Sequence, residues 1–154
     1  MSKQYSSDFV DTIMRPPPSK SEVVKRVMRA NKTRGTSLEL KIRKEIRAAG
    51  FKGARFNLSE IPSRPDIAFV GQKIAIIVNG CFWHGCKRCI KKTPKTNKKY
   101  WSWKIESNRK RDRRNAACLR RLGWRVYRVW EHDVKKGDLQ SLMTWLKASL
   151  KKHA

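Results

Sequence analysis

The chain has 154 residues, with 38 Lys and Arg against 12 Asp and Glu, a formal charge of +26 at neutral pH. A folded domain this basic repels itself unless it meets a polyanion, and no apolar run approaches the roughly 20 residues that cross a bilayer, so nucleic acid leads over membranes and acidic proteins. Length and 39% hydrophobic content imply one core, while four cysteines and an N-terminus (MSKQYSSDFVDTIM) without an export signal favour a cytoplasmic setting where metal ligation outranks disulfides.

Residues 1–19 read as a flexible polar segment ending in Pro16-Pro17-Pro18-Ser19, which cannot hold a helix. Residues 20–154 read as a single domain. A basic helix is expected over Lys20–Arg29, ordered on a partner. Thr36-Ser-Leu-Glu39 has the form of a capping box, with Leu38, Ile42 and Ile46 at helical spacing and Gly50 as the stop. Phe51 to Ser59 reads as an extended segment or loop, and Pro62-Ser-Arg-Pro65 forces a turn before Asp66. Ile67–Val70 and Ile74–Val78 predict a strand pair, the second largely buried because it shows no alternation.

Residues 78 to 89 read V-N-G-C-F-W-H-G-C-K-R-C. Cys86 and Cys89 form a C-x-x-C knuckle, with Cys81 five residues before it. Thiolates at that spacing can converge on one tetrahedral zinc. His84 lies between Trp83 and Gly85, so such a clip can hold it in place without binding it. From Lys87 to Arg114 there are 13 basic residues and two acids, Glu106 and Asp112, with Tyr100, Trp101 and Trp103 among them. The stretch suits a surface that grips phosphates and stacks on bases; the alternative is a solubilising helix face with its tryptophans in the core.

A long helix is predicted over Tyr100 to Leu122, stopped by Gly123. A strand follows over Trp124–Trp130, and a last amphipathic helix carries Leu139, Leu142, Met143, Leu146 and Leu150. The fold class is therefore α/β, a mixed central sheet flanked by helices. Asp66 opens a strand, where its carboxylate can serve Mg²⁺ as a hard oxygen ligand. Val78-Asn79 would end the neighbouring strand beside it. A Pro-Asp pair alone is more often a turn former.

Met28-Arg-Ala, Lys32-Thr-Arg-Gly-Thr, Glu39, Arg64-Pro-Asp66, Gly80-Cys-Phe-Trp-His-Gly-Cys86 and Pro94-Lys-Thr-Asn97 occur in this order. Tyr100-Trp101, Lys104-Ile105, Asn108, Arg111-Asp112, Gly123-Trp-Arg-Val and Val129-Trp-Glu-His132 follow them. In this set the chain resembles the very short patch repair (Vsr) family of DNA mismatch endonucleases, a branch of the PD-(D/E)xK nuclease group, over about residues 28–133. The resemblance implies a restriction-endonuclease-like fold with a structural zinc site. It also implies a Mg²⁺-dependent enzyme that nicks one strand of duplex DNA next to a T:G mismatch, initiating repair of deaminated 5-methylcytosine.

By the same resemblance, Asp66 holds the catalytic Mg²⁺, helped by the backbone carbonyl of Val78. His84 activates the attacking water, a task suited to an imidazole near neutral pH. Glu39 reaches the active site, in competition with its place in the capping box. Asn79 stands where the family usually has His or Asp; a neutral amide binds metal only through its carbonyl oxygen, which weakens a second metal site or alters a phosphate contact. Cys81, Cys86, Cys89 and His132 are the implied zinc ligands, with Cys118 as rival for the fourth place and a packed free thiol otherwise. Four protein ligands close a zinc site, making it structural.

Phe82, Trp83 and Trp101 match residues that wedge into the duplex, which is cheapest where pairing is faulty. Their alternative is core packing, and Trp124 and Trp130 are core candidates in any case. Arg64, Lys95 and Asn97 are further implied DNA contacts. The implied partner is double-stranded DNA with a T:G mismatch. Functional links to a cytosine-5 methyltransferase and mismatch repair proteins follow, as does a monomer in the cytoplasm at the nucleoid. Two other readings stay open: a zinc-stabilised DNA-binding module with weakened catalysis, and a less selective nicking or restriction nuclease of the same fold.

Overall fold

The computed structural model describes residues 36–89 and 97–151. The N-terminal segment, the basic helix expected over residues 20–29, and Lys95 lie outside the described residues. Helix α1 runs Ser37–Ala48 and starts in a capping box. The Glu39 N–H donates to Thr36 Oγ1 at 3.3 Å, and Glu39 Oε1 accepts from the Thr36 N–H at 3.3 Å. Two of the helix's otherwise unpaired donors are thereby satisfied. Ile42 and Ile46, one turn apart, are buried completely.

Four strands form one sheet in the order β1-β2-β3-β4: β1 Ala54–Phe56, β2 Ile67–Phe69, β3 Ile74–Asn79 and β4 Arg125–Trp130. The segment read as extended chain or loop thus contains an edge strand, and the guanidinium of Arg43 lies 4.1 Å from the centre of its Phe56 ring. β2 is antiparallel to its two neighbours β1 and β3, while β4 runs parallel to β3. A parallel neighbour needs a crossover, and the crossover here is α2, Lys98–Arg121. Gly123 ends it with φ +83° and its N–H on the Arg120 carbonyl at 2.9 Å, the left-handed position that glycine fills without strain.

Both faces of the sheet are covered, which explains the missing alternation in β2 and β3. On one face Ile67, Phe69, Ile74, Ile76 and Val129 meet Ile42 and Ile46 of α1, and Leu142 and Leu146 of α4, Gln140–Lys151. On the other, Ala68 stands opposite Ala75 across the β2–β3 ladder, and Leu119 of α2 packs there with Leu58 and Ile61. Two methyl-sized side chains side by side let a helix come close to the sheet.

A short helix that the sequence pattern did not predict, α3 at Glu131–Lys136, follows β4 directly and stops at Gly137 with φ +74°. Trp124 packs, partly buried, against the α2-side core. Trp130 belongs to neither core: it is half-buried and stacks on the His132 ring, with centroids 6.4 Å apart. Among the described residues no helix is long and apolar enough to cross a membrane.

Candidate active site and metal cluster

Asp66 is placed by the end of a ladder. The β2–β3 ladder ends where Ile67 pairs with Ile76, so Asp66 lies just beyond its last rung. Pro65, the residue before Asp66, has no N–H with which to extend the ladder. The Val78 N–H is taken by Asp66 Oδ2 at 2.7 Å. In an extended chain a residue's N–H and C=O leave on the same side, so the Val78 carbonyl also faces the strand that Asp66 opens. The turn before it is tight: Ser63 and Arg64 have φ of +67° and +45°, conformations that cost non-glycine residues free energy. Pro65 is fully buried.

Burial drives the Asp66 carboxyl up from its ordinary 3.8 to about 6. The Val78 N–H works against that rise, the negative charge of Glu39 adds to it, and His84 pulls the value down. Glu39 and His84 therefore both act on the charge of Asp66. Glu39 is 3% exposed; its carboxylate caps α1, and its charge also bears on Asp66. A buried carboxylate with one oxygen on an amide and an acidic neighbour fits a hard divalent cation.

His84 sits in the turn after β3, where its N–H donates to the Gly80 carbonyl at 3.1 Å. Its Nδ1 meets Asp112 Oδ2, on α2, at 2.5 Å. With a carboxylate on Nδ1, the ring carries its proton there and leaves Nε2 as the basic nitrogen. The sequence shows Asp112 as one of two acids in a basic stretch and within the Arg111-Asp112 motif of the resemblance, but assigns it no role at the site. Gly85 is required beside it: φ is +62°, and a Cβ would come within 2.6 Å of Ile105 Cγ2. On the far side, Asn108 Nδ2 donates to the Trp83 carbonyl at 2.8 Å, tying the turn to α2.

Asn79 ends β3 and is 1% exposed, with neither Oδ1 nor Nδ2 hydrogen-bonded among the described residues. It lines a cavity of about 700 Å³ with His84, Asp112 and Arg109. An amide buried with both ends unpaired costs free energy unless a ligand or water meets it.

Cys81, Cys86, Cys89 and His132 converge, their ligand atoms all within 4.8 Å of one another. His132 Nδ1 lies 3.2 Å from Cys81 Sγ and 3.5 Å from the other two sulfurs. Cys118 is half-buried on α2 and is not part of the group. His132 comes from α3, so the helix the sequence pattern missed supplies the fourth donor. Its Nε2 is 3.1 Å from Asp133 Oδ1, which puts the ring proton on Nε2 and turns the Nδ1 lone pair toward the sulfurs. Burial pushes the Cys81 thiol up to about 12, and the neighbouring Cys89 and Cys86 add to the rise. Glu131 Oε2 accepts the Cys81 N–H at 2.8 Å. Its burial raises its carboxyl, but the Lys135 bond at 2.6 Å and the Cys81 N–H outweigh that and hold it below the usual range. Three sulfurs and one nitrogen at this separation fit a four-coordinate soft metal ion.

Phe82, Trp83 and Trp101 form an edge-to-face trio, with centroids 5.2 to 5.8 Å apart. All three are half-buried and belong to neither core. Tyr100 extends the group at 5.2 Å from Trp101. Arg64 and Asn97 are exposed, Asn97 in a left-handed conformation at the start of α2.

A family model described as "DNA mismatch endonuclease Vsr" matches residues 19–91. The chain is 37% identical over 116 residues to "Type II nicking enzyme V.XorIIP" of Xanthomonas oryzae, covering 75% of this chain and 83% of that protein. It is 40% identical over 114 residues to "Type II nicking enzyme V.HpaIIP" of Haemophilus parainfluenzae, covering 73% and 80%. Against "DNA mismatch endonuclease Vsr" of Escherichia coli the identity is 38% over 104 residues, covering 68% and 66%.

Proposed function

The chain belongs to the Vsr family and is a DNA endonuclease, and from that premise we propose that it nicks one strand of duplex DNA beside a T:G mismatch in a Mg²⁺-dependent reaction, initiating repair of deaminated 5-methylcytosine. The observation that carries this reading is the grouping of Asp66, Glu39 and the His84–Asp112 pair at the open ends of β2 and β3. Asp66 and the Val78 carbonyl would hold Mg²⁺, which when bound supplies positive charge to the scissile phosphate and acidifies water. His84 Nε2 takes the proton from the attacking water as the new oxygen–phosphorus bond forms and the ester bond breaks. Asp112 fixes the ring and stabilises the imidazolium that results. Asn79 offers a neutral amide to a phosphate oxygen or a bound water. Cys81, Cys86, Cys89 and His132 would hold zinc with four protein donors, and zinc so held would fix the turn that carries His84.

Phe82, Trp83 and Trp101 provide a half-buried aromatic edge for entering a weakened base step, with Arg64, Lys95 and Asn97 on the phosphates. The test is incubation of supercoiled plasmid, a matched duplex and a T:G duplex with Mg²⁺ and either wild type or Asp66→Ala. Nicking confined to the T:G duplex and lost in the variant supports the proposal. Equal cutting of both duplexes supports a less selective nicking enzyme, a reading favoured by the names of two similar proteins. Binding without nicking by wild type supports a DNA-binding module, the reading that the neutral Asn79 favours.

A further inference from the structure

Helix α2 carries Arg109, Arg113, Ala116 and Arg120 at spacings of four, three and four, so they lie along one stripe of its surface. Arg113, Ala116 and Arg120 line a cleft of about 360 Å³ whose opposite wall is Val126 and Arg128 of β4. No acidic residue lines this cleft. Through Arg113 and Arg128 it continues into the larger cavity that holds Arg109, His84 and Asp112. Arg109 also lies against Gly85, the residue after His84. β4 is the outer strand of the sheet, without a neighbour beyond it among the described residues. Arg128 Nε is buried and has no hydrogen-bond partner among them.

A guanidinium donor withdrawn from water and left unpaired is costly, and a row of guanidinium groups repels itself. An anionic chain with oxygens at regular spacing relieves both costs. The only carboxylate that pairs with this row among the described residues is Glu106, at 3.1 Å from Arg113 and 3.8 Å from Arg109, and it is half-exposed. We propose that the cleft between α2 and β4 is a second phosphate-binding track, holding the phosphodiester backbone of the DNA as it leaves the catalytic turn. The proposal rests on the endonuclease assignment and adds a direction to it: the strand runs from His84 past Arg109 and Arg113 toward Arg120 and Arg128.

The experiment measures affinity for a fluorescent T:G duplex across a KCl series, for wild type, R120Q, R128Q and K147Q. Arg120 is exposed, so R120Q leaves the core intact, and it carries the test alone if R128Q folds poorly. Lys147 is an exposed cation on α4, away from the cleft, and serves as the control for charge alone. Each lost phosphate contact removes about 0.9 from the slope of log affinity against log salt, so R120Q should lose about threefold less affinity than wild type between about 50 and about 200 mM KCl. K147Q should match wild type. A slope in R120Q and R128Q no different from K147Q overturns the track. So does an unchanged slope with lost binding of an acidic peptide, which would make the β4 edge a protein-docking site. Wild type that neither binds nor nicks the duplex would defeat the endonuclease reading itself, a separable result.

Discussion

In the proposed reaction the position of one proton on His84 sets the chemistry. Asp112 occupies Nδ1 at 2.5 Å, so Nε2 is the nitrogen left to receive a proton from water. In Asp112→Asn the amide can donate to Nδ1 and turn the ring into the other tautomer. Nicking under single-turnover conditions should fall by about 10² to 10⁴ with duplex affinity unchanged; a fall in affinity of the same size would make Asp112 a packing residue. Asp66 gives a prediction of opposite sense. Burial raises its carboxyl to about 6 from 3.8, so the folded chain binds that proton more tightly than the unfolded chain. Its contribution to stability is full below about pH 4 and is lost as pH rises through about 6. Asp66→Asn should therefore stabilise the cation-free protein at pH 7.5, on the order of 1–3 kcal/mol, and have no such effect at pH 4. Urea unfolding at the two pH values measures it.

Between elements, the contacts of interest join the turn after β3 to α2 and α3. The aromatic trio takes Phe82 and Trp83 from the turn and Trp101 from the first turn of α2. Being only half-buried, it is available to bases, and a duplex step unstacks most readily at a mismatch. Trp101→Ala should erode the preference for T:G over matched duplex more than it weakens binding to matched duplex. Parallel losses in both would assign it to packing. On α3, Asp133 orients His132 through Nε2. Asp133→Asn should weaken metal retention by about tenfold in competition with a chromogenic chelator, while the three thiols keep some hold. Unchanged retention would make the contact incidental.

The whole molecule is a basic body held by two apolar cores and, at one end, by the Cys81, Cys86, Cys89 and His132 group. That group links the exit of β3 to the exit of β4, two strands already paired in parallel. Cys81 and Cys86 are nearly buried, so without a cation the cluster sets sulfurs and an imidazole together for little return. Cys86→Ser should lose zinc by elemental analysis and lower the melting temperature, because structural zinc contributes folding free energy directly. Full zinc content in the variant would remove Cys86 from the ligand set. The charge of +26 belongs to the same scale. It explains attraction to duplex DNA at long range, but it does not say which face receives the strand.

The chain's own residues determined most elements because their local signals agree. Thr36 and Glu39 cap α1, Gly123 stops α2, and β3 is apolar from Ile74 to Val78 because helices cover both its faces. The ordered motifs around Asp66, His84 and the cysteines were enough to name the family. Local signals failed where an element is short and held from outside: β1 is three residues paired to β2, and α3 is six residues fixed by Glu131 on the Cys81 amide and by His132 beside the sulfurs. Only the tertiary structure decided that Asp112 would orient His84, that the Asp66 carboxylate would take the Val78 N–H, and that arginines from α2 and β4 would share one cleft. Each joins positions far apart in the chain, or depends on register between strands. Such distances are set by the packing of the whole sheet against its helices, and no spacing of residues along the chain encodes them.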